Sequence, residues 1–196
     1  MKIVFLDRDG VINEFPGNGN YVTKLKDFHF IPGSLDALHI LAQHRFSVFV
    51  VSNQAGVSKG IYSREKLNQI TRKMLMGVRK RGGKIRKVFY CTHRSDAGCE
   101  CRKPGIGLVR RALQLMDKTI HIAKKAYFVG DTESDILAGH NARCKTIFVL
   151  SGREDRRYMR KWKVKPDFIA DNLLAATKII TNSNYLSKKP NKKRKT

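Results

Sequence analysis

The sequence predicts an α/β domain built on a doubly wound, mainly parallel sheet. Three observations point there. Short β-branched and aromatic runs alternate with amphipathic segments. Those runs are almost continuously apolar, as strands covered on both faces should be. The 196 residues suffice for one sizeable core and not comfortably for two.

The expected strands are Lys2–Leu6, Phe46–Val51, Ile85–Tyr90, Ala126–Val129 and Lys145–Leu150, with a weaker one at Phe168–Ala170. Helices fall between them. Ser34 is placed to cap Leu35–His44, where Leu35, Leu38 and Leu41 recur at helical spacing. Ser63 opens a longer helix through Leu67, Ile70, Met74 and Val78, stopped at Gly82-Gly83. Pro104 suits the first turn of a helix carrying Leu108, Ala112 and Leu115. Ser134 or Asp135 opens the next, and Asn172 caps Leu173–Ile180. No repeat and no second hydrophobic unit of cap-domain size is present. The expected organisation is one domain over residues 1–181 and a basic, disordered tail over 182–196.

No apolar run approaches the roughly 20 residues of a membrane helix. The run Ile3–Leu6, ended by Asp7, is too short for a signal peptide, so a cytoplasmic monomer without membrane contact is expected. The net charge of +24 attracts anions: nucleic acid, anionic lipid or phosphorylated metabolites, though lysine-rich composition with a basic tail produces it equally well.

In an open parallel sheet, ligands bind beyond the carboxyl ends of the strands. Four chemically complementary motifs fall there. After the first strand comes Phe5-Leu6-Asp7-Arg8-Asp9-Gly10; burying an unpaired carboxylate costs several kcal/mol, so two on alternate residues imply a cation or a substrate. A carboxylate can attack phosphorus, and a second one two residues on can pass a proton to the leaving oxygen. Ser52-Asn53-Gln54 ends the second strand with a hydroxyl and amides able to donate to a phosphoryl oxygen. Arg102-Lys103-Pro104 supplies a cation beside a helix start. Gly130-Asp131-Thr132-Glu133-Ser134-Asp135 ends the fourth strand with Asp131, the remaining acidic ligand a magnesium site requires, Asp7 and the main-chain carbonyl of Asp9 being the others. Asp135 either supports that site from behind or caps a helix.

In this order the four resemble the motifs of the haloacid dehalogenase phosphatase superfamily, over Asp7 to Asp135. The resemblance implies a Rossmann-like fold, Asp7 as nucleophile, Asp9 as general acid/base, Ser52 and Lys103 as phosphoryl stabilisers, and magnesium as cofactor.

Between the third strand and Lys103 runs Cys91-x-His93-x5-Cys99-x-Cys101. A Cys3His set closes a tetrahedral structural zinc site with no open position, and zinc would fold a loop too poor in apolar residues to fold itself. Such loops, running into Cys-Arg-Lys-Pro, look like the small capless subgroup that includes phosphatases of heptose bisphosphate and of histidinol phosphate. Ser52-Asn53-Gln54-Ala55-Gly56-Val57 with Gly60, Tyr21-Val22, and Phe30-Ile31-Pro32-Gly33 lean to the heptose side. The implied substrate is a sugar bisphosphate, hydrolysed at its 7-phosphate, with Arg8, Tyr21, Asn53, Gln54 and Arg102 contacting it. Glu14–Asn20 is longer than the subgroup's usual link. A histidinol-phosphate phosphatase is the nearest alternative. A polynucleotide 3′-phosphatase or nucleic-acid-binding relative is the more distant one, resting on the basic stretch Gly152–Lys165, with Tyr158 and Trp162 to stack on bases, and on the tail.

Overall fold

The computed structural model describes residues 2–182. Six strands form one sheet: β1 (Ile3–Leu6), β2 (Ser47–Asn53), β3 (Lys87–Cys91), β4 (Ala126–Gly130), β5 (Lys145–Val149) and β6 (Phe168–Ala170). Their spatial order is β3-β2-β1-β4-β5-β6, and every neighbouring pair is parallel. Central β1 pairs on either side with β2 and β4, Phe5 lying level with both Phe49 and Phe128. The chain therefore winds outward in opposite directions from β1, and the loops beyond its carboxyl end diverge to leave a crevice.

Alternate residues of β1 serve two cores. Val4 and Leu6 face α1 (Ser34–Gln43), α2 (Arg64–Lys80) and α6 (Leu173–Thr181) through Leu38, Leu41, Met74, Val78 and Ala176. Ile3 and Phe5 face α3 (Gly107–Gln114) and α4 (Glu133–Asn141) through Leu108, Ala112 and Ala138. Phe5 stacks on Phe49 with centroids 5.8 Å apart. Each such fully buried ring contributes roughly 1.5–3 kcal/mol over exposure. Burial on both faces is why the strand sequences are apolar throughout.

All six strands occur, β6 with the expected bounds and each of the others with at least one end displaced by one or two residues. Ser63 and Asn172 cap their helices as expected, accepting from Lys66 N and Ala175 N. Three helix starts differ. Gly33, in a left-handed conformation (φ 80°), precedes α1, so Ser34 is its first residue and not its cap. Helix α3 begins at Gly107, Pro104 being spent in the preceding turn. Thr132 caps α4, with Asp135 completing a reciprocal capping box. Trp162 is also not free to stack on a base: it is buried edge-on against Phe148, centroids 4.7 Å apart.

No large cap is inserted among the described residues, and no described helix is long and apolar enough to cross a membrane. Beyond Asn182, the expected basic tail lies outside the described residues.

Candidate active site and cysteine loop

The crevice beyond β1, β2 and β4 holds a cavity of about 360 Å3, into which Asp7, Asp9, Ser52, Lys103 and Asp131 all open. The carboxyl ends of three adjacent parallel strands carry Asp7, Ser52 and Asp131 there directly. Lys103 arrives from the loop before α3. The side-chain amide of Asn53 fixes that loop, its Oδ1 accepting from Lys103 N (3.0 Å) and its Nδ2 donating to Lys103 O (3.2 Å).

Lys103 Nζ lies 2.9 Å from Asp7 Oδ1 and also pairs with Asp135 Oδ1. Burial alone would strip its proton; Asp135 and Asp7 outweigh that and hold the ammonium charged beyond an ordinary lysine. The other Asp135 oxygen accepts from Asp131 N, Thr132 N and Thr132 Oγ1. The capping role open to Asp135 is thus filled by one oxygen, while the other pairs with Lys103.

Asp131 is left short of positive charge. Its Oδ2 accepts from Arg153 N (2.7 Å), while its buried Oδ1 has no hydrogen-bond donor. Burial, aggravated by Asp135 and Asp7, pushes its carboxyl well above the usual carboxylate range. Burial likewise raises Asp7, against the opposing pull of Lys103. One oxygen each of Asp7, Asp131 and Asp135 lie within 4.8 Å of one another. An all-oxygen set with an orphaned carboxylate oxygen fits a small hard dication such as magnesium. Two glycines leave room for the Asp131 carboxylate: a Cβ on Gly10 (φ 81°) would stand 2.3 Å from its Oδ2, and one on Gly152 2.1 Å from the same atom.

Asp9 is held differently. Arg8, with no exposed surface, donates to both its oxygens (2.8 and 2.9 Å from Nη2). Asn13 Nδ2 and Gln54 Nε2 add one bond each at 2.8 Å. Tyr62 Oη fixes Gln54 in turn, donating to its Oε1 (2.6 Å). Arg8 and Gln54 were expected against the substrate; both are buried behind Asp9 and do not line the cavity. Tyr21, Asn53 and Arg102 do line it.

Sequence reasoning missed Arg153 and Lys59, two further cations at the cavity. Arg153 Nε donates to Asn18 Oδ1 (3.1 Å), tying the long Glu14–Asn20 loop to the loop after β5. Nothing in the Arg-rich run after Gly152 distinguishes Arg153 before the fold sets it, still exposed, at the cavity.

The cysteine loop is a separate cluster. Cys101 Sγ lies 3.3 Å from Cys91 Sγ, 3.5 Å from Cys99 Sγ and 3.2 Å from His93 Nδ1. These separations exceed the roughly 2.05 Å of a disulfide. They approach the spacing, about 3.8 Å, of sulfurs set tetrahedrally around zinc at about 2.3 Å. The donor set therefore fits zinc, on a loop that leads within two residues to Lys103.

A family model described as HAD-hydrolase-like matches residues 100–176. The D-glycero-beta-D-manno-heptose-1,7-bisphosphate 7-phosphatase of Pseudomonas putida is 32% identical over 175 residues, covering 89% of this chain and 97% of its own. A D-glycero-alpha-D-manno-heptose-1,7-bisphosphate 7-phosphatase of Campylobacter jejuni is 33% identical over 163 residues, 83% of this chain and 90% of the relative. Among solved structures, the D,D-heptose 1,7-bisphosphate phosphatase of B. bronchiseptica, complexed with magnesium and phosphate, superposes with a TM-score of 0.83 at 30% identity. It covers 91% of this chain and 97% of the other. With such likeness sustained over nearly the whole of both chains, this protein belongs to the heptose 1,7-bisphosphate 7-phosphatase family of haloacid dehalogenase-type hydrolases.

Proposed function

We propose that the protein releases inorganic phosphate from the C7 position of D-glycero-D-manno-heptose 1,7-bisphosphate in a magnesium-dependent reaction through an aspartyl-phosphate. The observation that carries this reading is Asp7, backed by Lys103 at 2.9 Å, facing Asp131 across a cation-rimmed cavity in a chain of this family.

Asp7 attacks phosphorus as the bond to the C7 oxygen breaks, and Asp9 gives that oxygen its proton. Water then attacks the phosphoryl group, Asp9 takes the water's proton, and Asp7 is released with inorganic phosphate. Lys103 offsets the charge of nucleophile and phosphoryl oxygens together, and Ser52 donates to one of those oxygens. Arg8, Asn13 and Gln54 orient Asp9. Magnesium, held by Asp7, Asp131 and the Asp9 main-chain carbonyl with Asp135 behind, would supply further charge neutralisation. Zinc in the Cys91, His93, Cys99, Cys101 loop would position Arg102 and Lys103 without entering the chemistry. Arg102, Lys59 and Arg153 give a second phosphate its counter-charge, and Tyr21 gives the sugar a face to lie against.

Steady-state phosphate release with magnesium, on heptose bisphosphate, histidinol phosphate and a 3′-phosphorylated oligonucleotide, tests the reading. Heptose bisphosphate should lead in kcat/KM by at least tenfold. Faster turnover of either competitor would sink the substrate assignment.

A further inference from the structure

A sugar bisphosphate engages a few cations at one end of the sheet, whereas this chain carries a net charge of +24. The excess has a definite place in the fold. All six strands run parallel, so their amino ends share one edge, opposite the catalytic carboxylates. Five are entered through an exposed cation: Lys2 before β1, Arg45 before β2, Arg86 before β3, Lys125 before β4 and Arg143 before β5. None of these charged groups pairs with a carboxylate among the described residues. A carboxylate that lies here, Asp167 before β6, is taken up by Thr146 N and Oγ1 (2.7 and 2.9 Å). Five strands at about 4.8 Å spacing make a basic row roughly 20 Å long.

Within that row lies a cavity of about 290 Å3 lined by Lys2, Phe46, Lys124, Lys125, Tyr127 and Lys145. Lys2 Nζ sits 5.3 Å from the Phe46 ring centre and Lys145 Nζ 5.9 Å from that of Tyr127. Ile180 and Thr181, at the end of α6, complete the lining. From there the sequence continues through Lys188, Lys189, Lys192, Lys193, Arg194 and Lys195 without an acidic residue.

We propose that this edge binds single-stranded nucleic acid. A row of unpaired cations neutralises successive phosphates, and an aromatic-walled recess beside it accepts an unstacked base. A duplex keeps its base faces covered, and a lipid surface cannot enter the recess. The site is independent of the catalytic cavity at the other end of the strands.

The test is fluorescence anisotropy of the full-length chain with a labelled oligothymidylate of about 12 nucleotides bearing no terminal phosphate, so that the catalytic site has nothing to hydrolyse. The variant reverses Lys124→Glu, Lys125→Glu and Lys145→Glu together, none of them at the catalytic cavity. Affinity should fall at least tenfold, and the log–log salt slope should shrink by about 2, at roughly 0.7 per lost phosphate contact. Phosphate release by the variant should match that of the parent chain, which also certifies its fold. Phe46→Leu should weaken oligothymidylate several-fold and leave inorganic polyphosphate binding unchanged. Equal binding of oligothymidylate by parent and charge-reversed chains would overturn the proposal. So would tighter binding to duplex, or binding only to vesicles containing phosphatidylserine.

Discussion

Lys103 Nζ bridges Asp7 Oδ1 and Asp135 Oδ1, joining a carboxylate at the end of β1 to one in the first turn of α4. Each acid is buried, so each depends on the same cation. Replacing Asp7 by Asn removes the nucleophile and leaves Lys103 paired with Asp135. Turnover should fall on the order of 10^4-fold or more, while the melting temperature stays within a few degrees. Phosphate release and calorimetry on the same preparation check both halves.

Asp9→Ala should behave differently. It strands the fully buried Arg8 guanidinium without its carboxylate, which costs about 3–5 kcal/mol. Urea denaturation should therefore separate the two aspartate variants even though both lose activity.

Gly152→Ala places a methyl group 2.1 Å from Asp131 Oδ2. The backbone there is not left-handed, but the same methyl would stand 2.4 Å from Asp131 Cβ and Cγ, so the buried Asp131 side chain must shift. The magnesium concentration for half-maximal activity should rise roughly 10–100-fold, as when a ligand's support is disturbed.

Stability of the magnesium-free protein should fall as pH rises. The Asp131 carboxyl is raised well above its ordinary 3.8, so the folded state holds a proton that the unfolded chain has released. The stability this contributes is full below about pH 3.8 and is lost as pH climbs through the folded value. Magnesium, which favours the ionised form, should flatten the trend. Thermal melts across pH with and without magnesium would show it; a metal-free melting temperature rising over that range would contradict the burial of Asp131.

Metal analysis should find one zinc per chain, lost in Cys101→Ser. Stripping it should lower kcat by at least tenfold with little change in circular dichroism, because Cys101 lies two residues from Lys103. An unchanged kcat after zinc loss would separate the loop from the site.

Much of this was legible before any coordinates. The apolar continuity of the strands announced a two-sided parallel sheet, and the strand-end positions of Asp7, Ser52 and Asp131 brought them together. Arg8 was misjudged because a cation between two aspartates looks equally able to face outward; only the pleat of the chain turns it behind Asp9. Ser34 lost its cap role to a glycine in a left-handed turn, where a side chain would be strained and its Cβ would press to 3.0 Å from Leu174. Arg153 was hidden because one arginine in a basic run looks like the next, and half of what it does, the bond to Asp131 Oδ2, comes from a main-chain N–H that every residue but proline possesses.

The Arg153–Asn18 bond has a bearing on how such enzymes diverge. A longer loop after the nucleophile is useful only if something distant in sequence holds it down, and here the anchor sits 135 residues away. Grafting Glu14–Asn20 onto a relative without an arginine at the matching place would transplant the words without the grammar. The two segments should be exchanged together, as one heritable unit of specificity.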